Sequence, residues 1–121
     1  MRQRTLQAGA VLASAVALAG AALTTAPAVT ADAVAYLVNV TVRPGYNFAN
    51  ADQALAYGHG ICDKIAQGER YAALMGDVKA DFNTSDEYQA SYLISQAAQE
   101  LCPSLIWQLR NSAAGYRPPA G

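Results

Sequence analysis

The sequence predicts an all-α fold, a small bundle of three to four helices with one disulfide, preceded by a cleavable signal peptide. Three observations lead to this prediction. A basic amino terminus precedes a long apolar run, apolar residues then recur at steps of three and four, and the chain contains two cysteines. With 121 residues, the chain has room for one small domain.

The first 28 residues have the three zones of a secretory signal peptide. Arg2 and Arg4 lie in the basic start, an apolar run covers residues 8–23, and small residues follow it. A helix that spans a bilayer needs about 20 apolar residues, so this run is better explained by export than by anchoring. We therefore predict cleavage at residue 28, or as late as 33, and a secreted, extracytoplasmic chain with no stable membrane insertion after cleavage.

The charge balance argues against a nucleic-acid partner. Nine acidic and eight basic residues give a formal net charge of -1, and the lysines and arginines are scattered singly along the chain. Binding to phosphates requires clustered positive charge. We therefore expect no nucleic-acid binding.

We expect the helical domain to cover residues 32–112 and residues 113–121 to form a disordered tail.

The first element of this domain, residues 32–42, leaves helix and strand open. Nearly every residue there is apolar and several are β-branched, so we favour a short helix without excluding a strand. The next helix has clearer signals. Asn50 can cap its first turn with Gln53 three residues on, and Gly68 is a typical stop after Gln67.

Two further helices follow. Apolar residues at steps of three and four predict a helix over residues 69–79. Thr84 and Glu87 have the spacing of a capping box, which predicts the start of the next helix. We expect Tyr88 and Tyr92 to pack from this helix against the helix that Asn50 begins. Pro103 kinks or restarts the helix, because proline lacks an amide donor.

The two cysteines predict one disulfide between Cys62 and Cys102. An exported chain folds in an oxidising compartment, where an even number of cysteines in a small domain indicates a disulfide framework. The bond would join the helix that Asn50 begins to the end of the helix that precedes Pro103. A structural zinc site on the same pair would require reduced thiolates, so we expect no metal.

These residues resemble a known family. The stretch from Asn50 to Asp63 contains G-H-G-I-C-D, and a second cysteine followed by Pro103 completes the pattern. In these features the chain resembles the small exported mycobacterial proteins grouped as the domain of unknown function 732 family. The resemblance covers about residues 34–110 and implies a helical secreted domain with a single disulfide. It implies no reaction.

One histidine and one tyrosine are candidate ligand-binding residues. His59 and Tyr57 are residue types that bind haem iron, which gives a haem or small hydrophobic ligand carrier with a pocket near His59 as the alternative function. Residues two apart on a helix point in different directions, so the two cannot bind one iron together. The competing interpretation is a structural role, in which His59 is hydrogen-bonded to a carbonyl or lies half-buried beside the disulfide.

The seven tyrosines are a high number for such a short chain, and they suggest a binding surface. Tyrosine combines apolar area with a polar tip and is enriched at interfaces. We take Tyr46 and Tyr71 as the candidate interaction surface. The partner would be an unknown protein or a component of the cell envelope.

No catalytic residues are assigned. A serine, His59 and Asp63 could be drawn as a triad with Ser91 or Ser95, but no nucleophile-elbow motif accompanies them. The carboxylates that open the fourth helix are explained by the helix dipole. We therefore predict a non-enzymatic module without a cofactor.

Overall fold

The computed structural model of the chain describes residues 31–119, and the predicted signal peptide, 1–28, lies outside them. Within this part of the chain the fold is all-helical, as predicted, with no strand. The five helices are α1 (Ala31–Thr41), α2 (Ala51–Ala66), α3 (Tyr71–Asp81), α4 (Glu87–Leu101) and α5 (Ile106–Ala113). A 3₁₀ turn, Pro103–Leu105, separates α4 from α5, so the chain restarts as a separate fifth helix after the proline.

The ambiguous first segment is the helix α1. Its buried residues, Tyr36 and Val40, lie one helical turn apart and face the core. The Tyr36 hydroxyl donates a hydrogen bond to the carbonyl of Ala54 at 2.9 Å, and Asn39 Nδ2 donates one to Gln96 Oε1 at 2.7 Å. These tertiary contacts fit a helix with one buried face, and they outweigh the weak strand preference of the β-branched residues.

The start of α2 confirms the predicted cap. Asn50 Oδ1 accepts a hydrogen bond from the amide of Gln53 at 2.8 Å, while Gln53 Oε1 accepts one from the amide of Ala49. The two bonds satisfy donors that the first turn of a helix leaves free. The helix ends at Ala66, and Gly68 follows with a φ of +96°, a left-handed conformation that glycine adopts readily.

The start of α4 differs from the predicted capping box. The cap is Asp86 rather than Thr84, because Asp86 Oδ1 accepts hydrogen bonds from the amides of Tyr88 and Gln89. Thr84 lies two residues earlier, where its hydroxyl accepts a hydrogen bond from the Asp86 amide at 3.1 Å. Both side chains suit a helix start, and the one nearer the first turn is the cap.

The core is built around α4, which packs against α1, α2 and α3. Buried residues on α4 are small or aliphatic: Ala90, Leu93, Ile94, Ala97 and Ala98. Leu74, Met75 and Val78 cover them from α3, the helix predicted over 69–79. None of the helices between residues 31 and 119 is both long and apolar enough to cross a membrane.

Candidate functional site

The predicted disulfide is present and joins α2 to the end of α4. Cys62 and Cys102 are bonded with their Cα atoms 6.0 Å apart. Both sulfurs lie 3.7 Å from the carbonyl oxygen of Ala97, one turn before the end of α4. The bond thus holds together two helices that supply much of the core.

His59 is exposed and lies outside the main cavities of residues 31–119. Its side chain lies on α2, between Gly58 and Gly60, and it lines none of five cavities found on residues 31–119. The half-buried position beside the disulfide that the sequence suggested for His59 is therefore not found. A pocket for haem at His59 has no support from the described residues.

Tyr57 has a structural environment of its own. Its hydroxyl donates a hydrogen bond to Asp81 Oδ2 at 2.7 Å, and its ring meets Phe82 edge-on with centroids 5.1 Å apart. Burial, and then the Asp81 carboxylate, raise the pKa of Tyr57 above its usual range. A neutral phenol that is already bonded to a carboxylate is a poor iron ligand, and Tyr57 and His59 do not form a common site.

The serine, histidine and aspartate that could be drawn as a triad are not brought together. The Ser91 hydroxyl donates to the carbonyl of Tyr88 at 3.2 Å, and His59 and Asp63 are exposed on α2. In residues 31–119 no hydrogen bond or ion pair joins His59 to either serine. No group of three potential metal ligands is present in the same residues.

Of the two tyrosines proposed as an interaction surface, Tyr46 is in the core. It is 4% exposed, and its hydroxyl donates a hydrogen bond to the carbonyl of Gln89 at 2.5 Å. The loop after α1 folds back onto α4, which the sequence pattern does not indicate, and this contact buries the ring. Tyr71 is partly buried, and its ring meets that of Tyr116 edge-on at 5.0 Å.

Tyr116 falls in the segment that the sequence predicts as a disordered tail. Its hydroxyl donates a hydrogen bond to Glu87 Oε1 at 2.6 Å. Lys79 Nζ donates a hydrogen bond to the other oxygen of the same carboxylate. Tyr116 therefore contacts both α3 and α4, which the composition of the tail does not reveal.

The exposed apolar surface lies on α1. Val34, Val38 and Val42 are 48%, 53% and 74% exposed, and we call these three residues the valine stripe. Val34 and Val38 lie on the side of α1 opposite its buried residues, and Val42 follows directly after the helix, with its amide donating a hydrogen bond to the carbonyl of Val38 at 3.3 Å. The spacing of the three valines is visible in the sequence, but only the position of the core shows which side of the helix is covered.

An aromatic pair lies beside the carboxyl end of α1. Tyr88 is 63% exposed and stacks on Tyr92, with centroids 6.1 Å apart, so it does not pack against α2 as predicted. The guanidinium of Arg43 lies 4.2 Å from the Tyr92 ring centroid and 5.1 Å from that of Tyr88. The Tyr92 hydroxyl donates a hydrogen bond to the carbonyl of Asn39 at 3.4 Å, which places the pair next to the end of α1.

Comparison with known proteins identifies a family but no function. No curated protein matches the chain. No solved structure matches it either. A family model described as a protein of unknown function, DUF732, matches residues 30–104, a range that includes α1 to α4, both cysteines and Pro103. The chain therefore belongs to the DUF732 family.

Proposed function

We propose that this chain is a secreted, non-enzymatic module that binds a partner protein outside the cell through the valine stripe and the adjoining aromatic pair. The signal-like amino terminus and the disulfide support export, because disulfides persist in oxidising compartments. The family supplies no activity that would suggest another class of function.

The exposure of the valine stripe is the observation that carries this proposal. Three exposed apolar side chains follow one another at steps of four, two on α1 and the third directly after its end. Helices that dock in a groove of a partner use this spacing for their anchoring residues. Each Å² of apolar surface removed from water contributes about 25 cal/mol, so covering the valine stripe would favour binding.

The aromatic pair adds the residue types that dominate binding energy at interfaces. Tyrosine and arginine are enriched among the residues whose truncation weakens complexes most. Arg43 is already positioned by the rings of Tyr88 and Tyr92, so it loses little rotamer freedom when a partner binds. Tyr92 also donates a hydrogen bond to the carbonyl of Asn39, which fixes the pair against α1.

The helix that bears the surface is held rigidly. The hydrogen bond from Tyr36 connects α1 to α2, and the hydrogen bond from Asn39 connects α1 to α4. A preformed surface has less conformational entropy to lose on association. The acidic groups at the start of α4 have structural partners. Asp86 caps the helix, and Glu87 forms a salt bridge with Lys79. This agrees with a binding role for the chain rather than a hydrolytic one.

Site-specific photocrosslinking in the organism that produces the chain tests this proposal. A photoreactive amino acid would replace Val38 in the full chain, and a matched one would replace Ala72, an exposed residue of α3. We expect a defined protein adduct from position 38, outside the cytoplasmic membrane, and none of the same mass from position 72. Mass spectrometry of the recovered chain would also report signal cleavage.

A substitution series makes the test specific. Val34→Ser with Val38→Ser and Val42→Ser should abolish the partner complex, whereas Trp107→Ser, at an equally exposed apolar residue of α5, should leave it intact. Circular dichroism should show that both variants are folded. The proposal is wrong if the triple variant retains the complex, or if the chain is found only inside the cell.

A further inference from the structure

A groove opens between α4, α5 and the chain end, on a part of the domain to which α1 and α2 contribute no residue. It has a volume of about 310 Å³. Apolar walls come from Ala98, Ile106 and Leu109, and the rings of Tyr71 and Tyr116 close one end. At about 30 Å³ for each water-sized group, the groove holds roughly ten non-hydrogen atoms. We call it the α4–α5 groove.

The groove exists because α5 restarts after Pro103 and returns along α4 on small side chains. Ala98 on α4 and Ala113 on α5 both line it, and neither side chain is large enough to fill the space between the helices. The space is open to solvent, so a small molecule can reach it. The groove is therefore a candidate ligand site rather than a part of the core.

Three polar side chains converge on these apolar walls: Ser95, Gln99 and Arg110. In residues 31–119 none of the three makes a side-chain hydrogen bond, and no carboxylate pairs with Arg110. The Arg110 guanidinium lies over the ring of Trp107, 5.3 Å from its centroid. A mostly apolar cavity with a few unpaired polar groups is typical of small-molecule sites.

Tyr116 forms the closed end because the chain turns back after α5. Gly115 has a φ of +80°, in the left-handed region, and this turn brings the Tyr116 ring onto Tyr71. The hydrogen bond to Glu87 fixes the hydroxyl of Tyr116 outside the apolar part of the groove. The acidic residue at this end is thus already bonded, which leaves Arg110 as the charged group that is free to bind.

From this geometry we infer that the α4–α5 groove binds a small organic carboxylate with an apolar body. The Arg110 guanidinium binds the carboxylate, a pairing with two parallel N–H donors that suits arginine. Ser95 and Gln99 donate further hydrogen bonds, and the apolar body lies between α4 and α5 against the Tyr71 and Tyr116 rings. This inference is independent of the partner surface on α1.

Titration of the full chain with sodium octanoate, followed by nuclear magnetic resonance, tests the inference. Octan-1-ol and octylamine serve as matched probes, since both keep the apolar body and lack the carboxylate. We expect saturable shifts at amides of α5 and of α4 around Ala98, with a dissociation constant below about 1 mM. Octylamine should bind at least about tenfold more weakly, because Arg110 repels its charge.

Two variants identify the contacts. Arg110→Gln should weaken octanoate binding about tenfold and leave octanol binding unchanged, while Ala113→Leu should fill the groove and weaken both. Arg70→Gln removes an exposed arginine that does not line the groove, and it should change neither. Shifts that are absent, that fail to saturate, or that are equal in Arg110→Gln and the unaltered chain would overturn the inference.

Discussion

Gly58 of α2 lies directly against the ring of Tyr36 of α1. A Cβ placed on Gly58 would lie 2.7 Å from Cζ and 2.8 Å from Oη of that tyrosine, closer than side chains approach one another. It would also lie 2.6 Å from Cδ1 of Leu101. The Tyr36 hydroxyl donates its hydrogen bond to Ala54, one turn earlier on α2. The close approach of α1 and α2 thus depends on the missing side chain.

We therefore expect Gly58→Ala to destabilise the domain, although alanine is the better helix former. The fully buried Tyr36 ring cannot move aside without breaking its hydrogen bond, and overpacking of this kind costs about 1–3 kcal/mol. Urea unfolding of the oxidised domain measures the change. A variant as stable as the unaltered chain would contradict the contact.

Gly60 and Gly76 are matched controls with the opposite expectation. A Cβ on either residue would meet no atom within 4 Å, and both lie inside helices. Alanine at each position should therefore raise the free energy of unfolding by about 0.5–1 kcal/mol. The same urea assay compares the three variants. A loss of stability in Gly60→Ala would show that α2 has a second close neighbour.

Removal of the disulfide should destabilise the domain more than Gly58→Ala does. Cys62→Ala combined with Cys102→Ala avoids a buried free thiol, and we expect a loss of about 2–4 kcal/mol because the unfolded chain gains freedom. Unfolding of the unaltered chain with and without reductant gives an independent value. If the double variant unfolds at the same urea concentration as the oxidised chain, the bond does not stabilise the domain.

His59→Ala should leave stability within about 0.5 kcal/mol, since the side chain is exposed and makes no hydrogen bond in the described residues. A haem titration checks the alternative function at the same position. We expect the same absorption spectrum for the variant and the unaltered chain. A haem band that appears only with His59 present would restore the carrier hypothesis.

Local signals were sufficient for the parts of the fold that depend on neighbouring residues. Asn50 as the cap of α2, Gly68 as its stop and the break at Pro103 each follow from the conformational preferences of one or two side chains. The disulfide followed from the number of cysteines and the predicted compartment. These features can be predicted without knowing which helices pack against one another.

Which tyrosines form the candidate surface depends on contacts between residues far apart in the chain. The sequence did not predict these contacts. Tyr46 and Tyr88 are both tyrosines in polar surroundings, yet the first is buried by the return of its loop onto α4 and the second is exposed. Amphipathic spacing cannot separate them, because the covering element lies 43 residues away for Tyr46. The α4–α5 groove is likewise invisible until α5 is placed on α4.

The contacts of Glu87 make the stability of the domain depend on pH. Lys79, and then Tyr116, bond the Glu87 carboxylate and hold its pKa below the ordinary value of 4.5. A carboxyl that is harder to protonate in the folded state stabilises the fold above its unfolded pKa, and this contribution is lost as the pH falls through the folded pKa. The stability gap between the unaltered chain and Glu87→Gln should therefore close below about pH 4.

Urea unfolding at a series of pH values from about 7 to about 3 measures that gap. Lys79→Gln provides the control, because in its background the main cause of the lowered pKa is absent and the gap should be smaller and depend less on pH. Tyr116→Phe removes the second donor and should reduce the gap in part. A gap that stays constant across this pH range would show that these two residues do not hold the Glu87 carboxylate in the folded state.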